Sequence, residues 1–178
     1  MDLTEALTKK KKEILDLWIG RTLDSYTSPG FFKKSKDPFA NPVGVNIAKG
    51  LTALLELLLN NAEPQAYQMP LDQVVRIRAV QDFTPSQALA PFLELKWVVK
   101  QVFSDDKDTQ PLLRLLDTLD CEIDRMALAA FDIYTECREQ LYRNRIRELK
   151  SGSAILTDGG CPSAMMRQGK TTDCKTES

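Results

Sequence analysis

Leu112, Leu116, Leu119, Ile123, Met126, Ala130, Ile133 and Cys137 recur in alternating steps of four and three. A seam sustained over more than three heptads is satisfied by one long α-helix packed along one side. The spacing predicts a helix from about Pro111 to Leu149. At 1.5 Å per residue it spans about 60 Å, against about 40 Å for the diameter of a globule of this chain length. Its end is therefore expected to project. Beyond Cys137 the seam positions become Gln140, Asn144 and Arg147, so the segment Arg138 to Lys150 calls for solvent or a partner.

The rest of the chain keeps the helical period, and alternating β-branched runs are missing. With 178 residues, 43% of them apolar, there is enough for one core. The expected fold is all-α: a single bundle of about five helices over residues 1–150, with a disordered tail over 151–178, where Gly152, Gly159, Gly160 and Gly169 are scattered among polar residues. A first helix, Leu3 to Tyr26, aligns Leu7, Ile14, Leu15, Trp18 and Thr22 and ends at Ser28-Pro29-Gly30. Asn41 as N-cap and Pro42 at N1 open a second helix, to Asn60, which carries Val43, Ile47, Leu51, Leu54, Leu55 and Leu58 on one side. Glu63 to Met69 reads as a connection, and a short third helix covers Leu71 to Asp82. Thr84 as N-cap, Pro85 at N1 and Gln87 at N3 form a capping box for a fourth helix reaching Phe103. Pro91 lies inside that helix and removes one of its hydrogen bonds. Ser104 to Asp108 is an acidic turn.

The third helix carries polar groups on its packing side. At 100° per residue Arg78, Gln81 and Asp82 share a face with Leu71, Val74 and Val75. Arg78 and Asp82 are four apart and can pair, Gln81 can satisfy backbone groups, and Arg76 has Asp72 four residues back. Two readings follow. A buried ion pair fixing helix packing is favoured; the other is a contact site of Arg76, Arg78, Gln81 and Asp82 in which Arg78 recognises a small anion or a partner's carboxylate.

Several function classes are disfavoured. Lys+Arg 24 against Asp+Glu 25 leaves a net charge of -1, with no basic field for nucleic acid, and Lys9 to Lys12 reads as a solvated helix face. No signal peptide opens the chain, and the most apolar stretch, Leu51 to Leu59, reads as a core helix, so no membrane is expected. Histidine is absent, which removes the usual proton shuttle and the commonest metal ligand. No nucleophile–base pair or phosphate loop is present, and neither catalysis, a metal nor a cofactor is expected. Asp105, Asp106 and Asp108 lack the spacing of a calcium loop. The four cysteines, Cys121, Cys137, Cys161 and Cys174, include no close pair and read as reduced cytoplasmic thiols; Cys161 and Cys174 in the tail are candidate redox thiols, with an incidental role favoured.

The run Arg76-Ile77-Arg78-Ala79-Val80-Gln81-Asp82-Phe83-Thr84-Pro85-Ser86-Gln87-Ala88 resembles the N-terminal domain of RsbRD-type RsbT co-antagonists. Asp37-Pro38-Phe39-Ala40-Asn41-Pro42-Val43, and Ile14-Leu15 with Trp18 and Tyr26, are similar to the same family, so the resemblance covers about residues 3–105. It implies a helical sensory or interaction module of bacterial signalling proteins, placed ahead of a STAS output domain in stress regulators or found in some histidine kinases. Here the long helix is expected to run into a tail of under thirty residues with no output domain following, a departure from the pattern of the stress regulators. The expectation is a non-catalytic cytoplasmic regulatory module with a protein partner, a homodimer through the 111–149 helix being one form. The alternative is a structural adaptor or assembly factor for a metabolic complex.

Overall fold

In the computed structural model, residues 2–34, 37 and 39–158 are described, and among them there are helices and turns but no strand. Asp2 accepts a hydrogen bond from the Glu5 amide and opens α1, Leu3–Asp24. Its buried Ile14 and Trp18 pack against α3 and α5. Ser28-Pro29-Gly30 does not simply end this helix. Pro29 starts a short second helix, α2, Pro29–Lys34, because a proline ring preset to φ near −65° suits a first turn.

Asn41 then caps α3, Pro42–Leu59: its Oδ1 accepts from the Gly44 amide at 2.9 Å, while Nδ2 donates to the Phe32 carbonyl at 2.7 Å. One buried side chain thus ties two helices. α3 alone among the described helices is long and apolar enough by composition to cross a bilayer, yet Ile47, Leu51, Leu54, Leu55 and Leu58 are buried within the protein. At Gly50 a Cβ would run into Val74, so the missing side chain sets how closely α3 and α4 approach. α3 ends in a Schellman motif: the Ala62 amide donates to Leu57 and the Asn61 amide to Leu58, with Asn61 at φ 46°.

The expected connection is itself helical. A 3-10 turn, Pro64–Tyr67, runs into α4, Gln68–Ala79, which starts earlier than the apolar pattern suggests because Pro70 is tolerated in a first turn. α4 also ends three residues before Asp82. Pro85 requires extended backbone at Thr84, ψ 158°, so the chain must leave the helix before that point. The Arg138 guanidinium caps the released Ala79 carbonyl at 3.1 Å.

α5, Pro85–Ser104, opens with the complete capping box of Thr84 and Gln87. A 3-10 turn, Gln110–Leu115, replaces the first turn expected of the last helix, and α6 is Asp117–Asp158. Asp117 and Asp120 in its first turn complement the helix dipole. On the seam Leu116, Ile123, Met126, Ala130, Ile133 and Cys137 are buried, while Leu112 and Leu119 are partly so.

The chain divides into two units, residues 1–138 and 139–178. The first holds the whole apolar core. In the second, the helix continues to Asp158, eight residues into the stretch expected to be a tail, and residues 139–151 are all exposed. The remainder of the expected tail, with Cys161 and Cys174, lies outside the described residues.

Candidate functional site

The polar centre is the guanidinium of Arg78, which is fully buried. It does not pair with Asp82. The 100° projection fails once α4 stops at Ala79, and Asp82 falls on the exposed loop that follows. Gln81 follows the chain out of the helix as well, leaving a buried Oε1 without a hydrogen bond. Arg76 sits outside, bonded to Asp72 at 2.7 Å as its four-residue spacing predicts, and the carboxylate raises its pKa. The four candidate contact residues are therefore not brought together.

Arg78 is held by main-chain oxygens and by rings. Nε donates to the Ala88 carbonyl at 3.0 Å, and Nη2 donates to the Gln87 carbonyl at 2.8 Å and to Ser25 Oγ at 3.1 Å. Its Cζ lies 4.3 Å from the Phe83 ring centroid and 5.2 Å from that of Tyr26. Pro91 explains the carbonyl contact: a helical residue there would donate its amide to Gln87 four residues back, and proline has no N–H. Arg78 supplies the missing donor from another helix. Trp18 also reaches the main chain of α5, its indole N–H donating to the Pro91 carbonyl at 2.7 Å.

A cation buried with no carboxylate beside it loses hydration, and this desolvation pulls the Arg78 pKa down; neighbouring Tyr26 opposes the shift. The guanidinium nevertheless stays protonated. Burial likewise raises the Tyr26 phenol, against the influence of the Arg78 charge. Tyr26 Oη and Arg78 Nη1 have no hydrogen-bond partner, although both are buried. With three of its donor contacts on protein oxygens and no exposed surface, Arg78 is built as a strut joining α1, α4 and α5. Tyr134 and Arg138 of α6 fasten the same corner through the Phe83 and Ala79 carbonyls.

The remaining candidates are dispersed. Lys10 bonds Glu13 and Asp106, and Lys11 bonds Glu56 at 2.6 Å, so part of the lysine run is tied down. The Asp108 backbone amide and then Lys10 hold the Asp106 carboxyl below the usual range. Cys121 is exposed and Cys137 buried, both as free thiols. No group of three or more potential metal ligands occurs among the described residues.

Two features escaped sequence reasoning. One is a hollow of about 300 Å³ lined by Leu58, Glu63, Tyr67, Glu122, Arg125 and Met126, among others. It forms where the end of α3 and the Pro64–Tyr67 turn meet α6, and no local motif announces it. The other is the set of apolar side chains Leu141, Ile146 and Leu149, which are 38%, 51% and 60% exposed.

The fold and this centre define an all-α helical module organised around a buried arginine strut. Residues 12–149 match the model of the RsbT co-antagonist protein rsbRD N-terminal domain, and the chain belongs to that family. The match extends beyond the resembling segment at 3–105 and takes in most of α6. Membership points to a stress-signalling regulatory module. Comparisons with curated proteins and with solved structures gave no match.

Proposed function

We propose that this chain is a non-catalytic regulatory module of a cytoplasmic stress-signalling pathway, acting by protein–protein contact through the exposed part of α6. The observation that carries this reading is the unburied apolar set in residues 139–152. Leu141, Ile146 and Leu149 lie within an arc of about 140° on a helix at 100° per residue. Tyr142 falls inside that arc and is also exposed. Arg143–Glu139 and Arg145–Glu148 pairs accompany the apolar side chains. An amphipathic helix of this kind is suited to lie in a partner's groove or against another helix. A second copy of the chain is one such partner.

The test uses the full chain and an Ile146→Asp/Leu149→Asp variant as baits in stressed and unstressed cytoplasm, with light scattering for self-association. A specific partner, or self-association, lost in the variant while its melting temperature holds is the expected result. Capture that is unaffected by both substitutions rules out this surface. A constant stoichiometric partner from a metabolic complex favours the adaptor role instead, and measured turnover on any substrate would overturn the non-catalytic reading.

A further inference from the structure

We propose that the hollow between the end of α3, the Pro64–Tyr67 turn and α6 binds a small organic cation: an apolar body carrying one amine. The inference is independent of the partner surface on residues 139–152. At about 300 Å³ the hollow lies at the lower end of ligand pockets and corresponds to about ten water volumes. Leu58, Ala62, Met126 and Ala129 give it apolar lining, and the half-buried Tyr67 ring can face a cation.

Charge selects the ligand. Arg125 is already paired with Glu122 on the same helix, so its charge is compensated and gives an incoming anion little net attraction. Glu63 lines the hollow, and its side chain makes no cap bond and no ion pair among the described residues. The three charged lining groups sum to minus one, with the uncompensated charge on Glu63. Independently, the 18-residue α3 directs its C-terminal end to this point, where Leu58, Asn61 and Ala62 form the wall, and its last turn contains no basic residue. The negative end of a helix dipole favours a cation there. The Schellman bonds satisfy individual carbonyls at that end but leave the direction of the dipole unchanged.

The experiment titrates the full-length ¹⁵N-labelled protein at low salt with three molecules of matched shape: 2-phenylethylamine, 2-phenylethanol and phenylacetate. The expected result is saturable shifts of the Ala62, Tyr67, Met126 and Ala129 amides. The amine should bind about fivefold tighter than the alcohol, the most that one exposed charge pair commonly supplies, with phenylacetate weakest. Glu63→Gln should erase most of that preference and leave the alcohol unchanged, and Ala129→Trp, which fills the hollow, should abolish binding of both. Melting curves of each variant check folding; Glu63 is exposed, so its substitution leaves the core intact. Absence of saturable shifts, equal binding of amine and alcohol, stronger binding of phenylacetate, or an unchanged preference in Glu63→Gln would each overturn the proposal.

Discussion

Replacing Arg78 by Met tests whether the buried guanidinium serves as the donor that Pro91 lacks. Methionine keeps an unbranched stem in the core but removes every N–H. The bonds to Ala88 and Ser25 are taken to offset the relief of no longer burying a charge that has no carboxylate beside it. Two losses remain. The Gln87 carbonyl, bonded by Nη2 at 2.8 Å in a partly buried position, is left bare, which costs about 2 kcal/mol. Stacking of the cation on Phe83 and Tyr26 adds about 1 kcal/mol. The expected destabilisation is therefore about 3 kcal/mol, or a melting temperature lower by about 10 °C for a domain of this size. In a Pro91→Ala background the restored amide can serve Gln87, and Arg78→Met should then cost only about 1 kcal/mol. Urea denaturation of the four proteins closes the cycle, with a coupling of about 2 kcal/mol. A coupling below about 0.5 kcal/mol would refute the link between the proline and the arginine, and an Arg78→Met protein as stable as the parent would refute the strut.

Thr84→Ala removes the acceptor of the Gln87 amide and half of the capping box, and should cost about 1 kcal/mol in the same denaturation assay. Tyr26→Phe deletes a buried hydroxyl that has no hydrogen bond, so stability should stay within about 0.5 kcal/mol of the parent or rise; a loss beyond about 1 kcal/mol would show that the hydroxyl is bonded in solution. Asp106→Asn should lower the melting temperature at neutral pH, because a carboxyl whose folded pKa is depressed contributes stability above its unfolded pKa, near 3.9, and loses it as pH falls through the lower folded value. Calorimetry should find the parent–variant gap closing below about pH 4, and a gap constant down to pH 2 would exclude the assignment. Ile146→Asp/Leu149→Asp should leave the melting temperature within about 1 °C, since both positions are exposed.

Local chemistry was legible from the residues alone. Asn41-Pro42 and Thr84-Pro85 with Gln87 mark helix starts through donors and acceptors only a few residues apart, and the Leu116 to Cys137 seam follows from helical period. The Arg76–Asp72 pair is equally local. The absence of histidine required no fold at all to narrow the available chemistry.

What tertiary structure decided was where helices stop and which distant atoms meet. Arg78 was visible as a polar residue on an apolar face, but extending the helical projection to Asp82 supplied the wrong partner: Pro85 turns the chain out of the helix before that point, and the Ala79 carbonyl so released meets Arg138, 59 residues away. The missing donor at Pro91 was a sequence-level fact. Its replacement by Arg78 was not, since 13 positions and a change of helix separate them. The hollow beside Glu63 is of the same kind: its wall draws on α3, a 3-10 turn and α6, and its charge balance rests on Arg125 choosing Glu122. Periodicity and capping are written within one or two turns of chain, whereas burial without a counter-ion, an unpaired carboxylate and a cavity are properties of segments that only folding makes neighbours.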